Sequence, residues 1–162
     1  MPDNICIRPA RSGDGALILT LIRELAEYER LFHEVVASEE SIDRWLFGER
    51  PAAEALIAEW DGAPTGFALF FHNFSTFVGK PGIYLEDLYV RPQWRGKGIC
   101  GALLREVARL ADQRGCGRLE WAVLDWNDTA VGFYQSLGAK PMSDWTVFRL
   151  TEEGIRRLAQ AE

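Results

Sequence analysis

The stretch that most constrains this chain is residues 83–113, "IYLEDLYVRPQWRGKGICGALLREVARLADQ". A β-branched and aromatic run, a turn holding glycines and two cations, and an amphipathic helical pattern follow one another without interruption. Leu103, Leu104, Val107, Leu110 and Ala111 recur at helical spacing, and Gly115 ends the pattern. A strand that delivers a glycine turn to a helix N-terminus presents backbone N–H groups and the positive end of the helix dipole, which together make an anion site.

Two fingerprints overlap in that turn. Gly96, Gly98 and Gly101 spell G-x-G-x-x-G, a dinucleotide pattern, whereas Arg95, Gly98 and the Cys100 position follow R-x-x-G-x-(G/A), an acyl-coenzyme A pyrophosphate turn. In a dinucleotide fold the first glycine follows its strand almost directly, and further βαβ units continue the sheet. Here the first glycine, Gly96, is only the sixth residue after Val90, and a single strand, helix, strand passage surrounds the turn. Asp125 stands at about the distance of a ribose partner, so the dinucleotide reading stays open. The acyl-coenzyme A reading takes Gly96 and Gly98 as points of close backbone approach and Arg95 and Lys97 as cations around the phosphates. The preceding strand then offers N–H groups to the pantetheine arm.

The rest of the chain supplies a mixed α/β frame. "NICIRPA" reads as a first strand ending at Pro9, with Ser12 and Asp14 placed to cap a long helix in which Leu17, Leu21, Leu25 and Tyr28 share a face. "SEESIDRWLF" predicts a second helix, opened by Ser38 and ended by Gly48. Residues 53–60 and 66–73 predict a hairpin, 74–82 a loop, 83–90 a strand and 118–124 a fifth strand. Asn127 or Asp128 caps a helix that stops at Gly138; "WTVFRL" at 145–150 reads as a late strand before a terminal helix at 152–160.

At 162 residues the chain is expected to form one domain, 1–162. Its 24 acidic against 18 basic residues give a net charge of −6, which disfavours a nucleic-acid partner. The longest apolar run, "FALFF", is far short of a membrane span, so no membrane segment or targeting leader is expected. Cys6, Cys100 and Cys116 have neither disulfide nor zinc spacing, which points to the reducing cytoplasm and to no metal.

"YLEDLYVRPQWRGKGIC" resembles the central motif of the GCN5-related N-acetyltransferase superfamily. "IRELAEYER", "YLED", "VLDWN" and "FYQSLGA" are similar to its diamine and thialysine N-acetyltransferase branch, and the resemblance runs from "IRPA" to "WTVFRL". It implies an α+β fold with a mixed, mostly antiparallel sheet flanked by helices, and acetyl-coenzyme A as co-substrate. The coenzyme would be held by the strand backbone at Leu88, Tyr89 and Val90, by the turn Arg95, Gly96, Lys97, Gly98, Ile99, Cys100 and Gly101, and by Asn127. Cys100 departs from the usual Gly or Ala but keeps its backbone N–H. The partners that the resemblance implies are a small-molecule amine and, in a homodimer, a second copy of the chain.

Acetyl transfer to an amine requires a neutral nucleophile, stabilisation of an oxyanion, and a proton for the departing thiolate. An alkyl amine with a pKa of ~10.4 arrives charged. The adjacent acids Glu86 and Asp87 can attract it and take its proton; strand alternation puts them on opposite faces unless a bulge intervenes. The resemblance makes Glu86 the base and Asp87 a substrate contact. Tyr134, seven residues beyond Asn127 and two helical turns along the same face, matches the thiolate-protonating tyrosine. Glu29, His33 and Glu34 at the end of the first helix, Phe77 in the 74–82 segment and Trp145 are the remaining substrate candidates. Trp145 matches an aromatic that reaches a neighbouring subunit. Ser75 stands where the polyamine enzymes carry an acid, which moves the expected substrate from long polyamines toward thialysine or another small amine. A peptide N-terminus, or a non-catalytic acyl-coenzyme A or dinucleotide module, is the alternative.

Overall fold

The computed structural model describes residues 4–161, in two compact units divided between Ala122 and Val123. The first unit is a five-stranded sheet of order β1-β2-β3-β4-β5: β1 Ile5–Pro9, β2 Glu54–Trp60, β3 Ala63–Ser75, β4 Lys80–Val90 and β5 Arg118–Trp121. Antiparallel pairing joins β1 through β4, and β5 is parallel to β4. Helices α1 Gly15–Tyr28, α2 Glu39–Phe47 and α3 Ile99–Gln113 belong to the same unit. The expected mixed, mostly antiparallel sheet flanked by helices is what forms.

Helices α1 and α2 cover one face. Ile18, Leu21 and Leu25 of α1 pack with Ile42 of α2 against Ala55, Ile57, Phe67, Leu69 and Tyr89 of the sheet. The α1 stripe is therefore centred on Ile18 as well as on the leucines, while Tyr28 remains 40% exposed at its end. Asp14 occupies the N-cap of α1 without capping it through its side chain. Its carboxylate instead accepts from Arg8 at 2.8 and 3.1 Å and from the backbone N–H of Arg11 at 2.7 Å, and the Arg8 guanidinium holds it below the usual carboxylate range. Ser38 does cap α2, in a reciprocal box with Ser41.

On the opposite face Arg114, at the end of α3, lies over Phe70 and bonds Glu54. Ile99, Leu103 and Val107 form the buried stripe of α3. Alternation along β2 and β3 sends Leu56, Ala58, Ala68 and Phe70 to this face.

Two expectations are corrected. Residues 74–82 are not a loop: the β3–β4 ladder continues through Asn73–Gly82, Phe74–Pro81 and Ser75–Lys80, leaving a turn at 76–79. The Ser75 hydroxyl accepts from Val78 N–H at 3.2 Å and Gly79 adopts φ 67°, so turn chemistry closes the hairpin that Gly and Pro obscured. Residues 145–150 form no strand. Alternation alone does not make one, because a strand needs an edge to pair with, and among the described residues none pairs with this segment.

The second unit carries α4 Asp128–Ser136 and α5 Glu152–Ala159. Asn127 caps α4, its side-chain oxygen accepting from Ala130 N–H at 3.2 Å. The fifth strand stops at Trp121, short of the expected 124.

Candidate active site

The chemistry gathers around a bulge in β4. Leu69 faces Asp87 and the next residue of β3, Phe70, faces Leu85, so Glu86 is an extra residue with no counterpart on β3. The insertion shifts the phase of β4. Ile83 and Leu85 point with Phe70 toward α3, whereas Asp87 and Tyr89 point with Leu69 and Phe67 toward α1. Glu86 is exposed in the bulge itself.

Asp87 is half-buried, and its carboxyl is pushed up to about 7, by burial first, then by the negative charges of Glu86 and Glu29. Glu29 is the C-cap of α1, with its own carboxyl raised by burial. The structure therefore brings three sequence candidates, Glu29, Glu86 and Asp87, into one field. It is negative enough to favour a cation and sheltered enough to keep one carboxyl near neutrality.

The parallel ladder from β4 to β5 ends at Leu85–Trp121, immediately before the bulge. Among the described residues no strand pairs with 86–90 on the side away from β3, so the N–H groups of Leu88 and Val90, which alternate away from β3, face that open edge, while Tyr89 pairs with Phe67.

The glycine turn follows. Gly96 and Gly98 adopt φ 75° and 82°, left-handed conformations that favour glycine, and nothing lies within 4 Å of the position a Cβ would take on either. Gly98 is the N-cap of α3, so the N–H groups of Ile99, Cys100 and Gly101 belong to the first turn, where a helix supplies no partner. An open, glycine-lined cradle at a helix N-terminus fits a pyrophosphate. Cys100 is half-buried, its thiol raised by burial and partly offset by Arg95.

Arg95 takes a different position from the one expected around the phosphates. Its Nε donates to Val90 O at 3.0 Å and its guanidinium lies 4.6 Å from the Tyr28 ring centroid and 5.8 Å from that of Tyr89. It ties the turn to the end of α1, beside an open cleft of about 490 Å³. Arg91 is engaged as well, through Glu24 at 2.9 Å. Lys97 stands over Trp60 and Trp94. Nothing in the local sequence announces these contacts, since Glu24–Arg91 spans 67 residues.

In the second unit Tyr134 is half-buried on α4 with its ring 5.5 Å from Phe133, two turns beyond the Asn127 cap. Trp145 is 72% exposed.

Other candidates are not brought to the acids. Glu34 is exposed in a 3-10 turn, paired with His33 at 3.3 Å. Phe77 is 89% exposed at the hairpin tip, and the six residue steps from Lys80 to Glu86 place it about 20 Å or more along the strand from the bulge. His72 packs beside the Glu54–Arg114 pair. Among the described residues no group of three or more His, Cys, Asp or Glu is arranged to hold a metal, and no helix is long and apolar enough to cross a membrane.

The acetyltransferase (GNAT) family pattern matches residues 20–139. The chain is 43% identical over 166 residues to thialysine N-epsilon-acetyltransferase of Bos taurus, covering 96% of this chain and 97% of that protein. It is 31% identical to L-ornithine N5-acetyltransferase of Arabidopsis thaliana, over 94% and 86% of the two chains. Among solved structures it resembles an integron cassette protein from V. cholerae, with a TM-score of 0.81 and 27% identity over 98% and 99% of the two chains.

Proposed function

This chain belongs to the acetyltransferase (GNAT) family, and from that premise we propose that it acetylates the side-chain amine of a thialysine-like amino acid or a short diamine, with acetyl-coenzyme A as co-substrate. The observation that carries the reading is the half-buried Asp87 carboxyl, set by Glu86 and Glu29 in a field suited to an ammonium group. Acetyl-coenzyme A supplies the activated acetyl group; the chain's residues hold the amine, remove its proton and exclude water.

A carboxylate at its ordinary value of ~4 is a poor acceptor for the proton of an amine at ~10.4, and one at about 7 narrows that gap by roughly half. Asp87 is accordingly the proton acceptor in this reading, and exposed Glu86 meets the incoming cation. The resemblance alone had assigned these roles the other way round. Glu29 supplies a second negative contact. The backbone of Leu88 to Val90, the turn from Gly96 to Gly101, and Asn127 hold the coenzyme, and the Tyr134 hydroxyl protonates the leaving sulfur.

The family match crosses the division between Ala122 and Val123, which supports treating 1–162 as one acetyltransferase domain. A homodimer completes the proposal. Trp145 and Phe148, 72% and 92% exposed, are apolar surface for a second copy, and Phe77 lies too far along its hairpin to meet an amine at Asp87 of its own protomer. Three free thiols suit the reducing cytoplasm, and no metal enters the chemistry.

Thiol release tests the reading: the purified protein should free coenzyme A when given thialysine. Binding of acetyl-coenzyme A without thiol release in the presence of any small amine would identify a sensing module instead.

A further inference from the structure

Trp60, Trp94 and Lys97 form a group that the amine chemistry does not use. Trp60 ends β2, Trp94 closes the 3-10 turn Pro92–Trp94 ahead of the glycine turn, and Lys97 stands inside that turn. The indole centroids are 5.7 Å apart with the rings tilted by 36°. Lys97 Nζ lies 5.1 Å from the Trp60 centroid and 5.7 Å from the Trp94 centroid. Both tryptophans are half-buried, so each keeps aromatic surface open to a ligand, and Lys97 is exposed.

The cations of this turn differ in what they already hold. Arg91 is neutralised by Glu24, and Arg95 is spent on Val90 O and the Tyr28 ring. Among the described residues Lys97 has no carboxylate partner; its contacts are the two ring faces. A cation held over open indoles, next to a cradle of backbone N–H groups, matches a ligand bearing a flat ring and an anion beyond its pyrophosphate. The nucleotide end of acetyl-coenzyme A has both, in its adenine and its ribose 3′-phosphate.

We propose that Trp60, Trp94 and Lys97 seat the 3′-phosphoadenosine end of the coenzyme, the purine lying against the indole surface and Lys97 Nζ moving from the rings onto the 3′-phosphate. The pyrophosphate keeps the N–H groups of the glycine turn, which leaves Lys97 for the outer phosphate. This inference rests on the coenzyme reading above and names the part of the ligand that these side chains recognise.

Calorimetric titration of the intact protein with acetyl-coenzyme A, its 3′-dephospho form and acetyl-4′-phosphopantetheine tests it. The parent should bind acetyl-coenzyme A most tightly and the phosphopantetheine form least. Lys97→Met should abolish the preference for the 3′-phosphate. Trp94→Leu should weaken both nucleotide ligands about tenfold or more, the size of a lost base-stacking contact, and leave the phosphopantetheine form within twofold. Because Trp94 also supports the turn, the exposed Lys97 variant provides the decisive arm if Trp94→Leu fails to fold. A Lys97→Met variant that keeps the full 3′-phosphate preference overturns the inference, as does a Trp94→Leu variant that weakens all three ligands equally. A parent that turns over acetyl-coenzyme A but does not discriminate among the three sinks this inference alone; a parent that binds none of them removes the coenzyme reading beneath it.

Discussion

Asp87 faces Leu69 across the β3–β4 ladder, on the side of the sheet that α1 covers, because the extra residue Glu86 breaks the alternation of β4. A carboxyl that regular alternation would send toward α3 is thereby carried to the end of α1, within the field of Glu29.

That placement costs stability when Asp87 ionises. Its carboxyl sits at about 7 in the fold, against ~3.9 in an unfolded chain. A raised folded value favours the protonated fold, so the contribution is fully present below pH ~4 and is lost as pH rises through 7. Asp87→Asn removes the loss. The variant should melt on the order of 5 °C above the parent at pH 8 and level with it at pH 4, measured by calorimetry. Equal melting at pH 8 would mean that the ionised carboxylate is not strained.

The two acids should separate kinetically. Asp87→Asn should lower kcat by ~10²-fold or more, as expected for loss of a general base, and remove the acid limb of kcat/KM near pH 7. Glu86→Gln should mainly raise the amine KM, leaving kcat within about threefold. The reverse pattern would return the base to Glu86.

How much of this was legible in the sequence depends on the range over which each signal acts. Helices α1 to α4 were readable because a 3.6-residue period and a cap are local properties, as the Ser38–Ser41 box of α2 and the Asn127 cap of α4 show. The bulge also left a trace: apolar residues at 83 and 85 resume at 88 and 90, a phase slip of one residue. Asp14 was misread as a side-chain cap because Arg8, on the preceding strand, captures its carboxylate. Residues 145–150 alternate without gaining a strand, since pairing depends on a partner edge that local pattern does not contain. The turned-back Arg95 and the Trp60–Lys97 contact were invisible for the same reason: each is fixed by residues far away in the chain.

Gly98 holds φ 82° at the N-cap of α3. A β-branched side chain strains that conformation by ~1–2 kcal/mol and crowds the cradle. Gly98→Val should raise the acetyl-coenzyme A Kd at least tenfold in calorimetry while the protein remains folded by circular dichroism. Unchanged affinity would move the coenzyme away from this turn.

Tyr134→Phe deletes one hydroxyl and keeps the ring beside Phe133. Stability should fall by no more than ~0.5–1.5 kcal/mol, whereas the chemical step should slow by ~10²- to 10⁴-fold with acetyl-coenzyme A affinity little changed. Single-turnover kinetics are the proper readout, because slow product release would hide the effect in steady state. A normal single-turnover rate would make Tyr134 a packing residue.

The most direct measurement gives the purified protein limiting acetyl-coenzyme A and an equimolar mixture of thialysine, ornithine, putrescine, spermidine and spermine, then identifies the acetylated products by mass spectrometry. Ser75, whose Oγ accepts from the turn N–H of Val78, stands where the resemblance places an acid in the polyamine enzymes. The products should therefore be dominated by the short amines, thialysine foremost, with one acetyl group gained per coenzyme A released. Acetylspermine or acetylspermidine in excess, or free coenzyme A with no acetylated amine, would contradict the account.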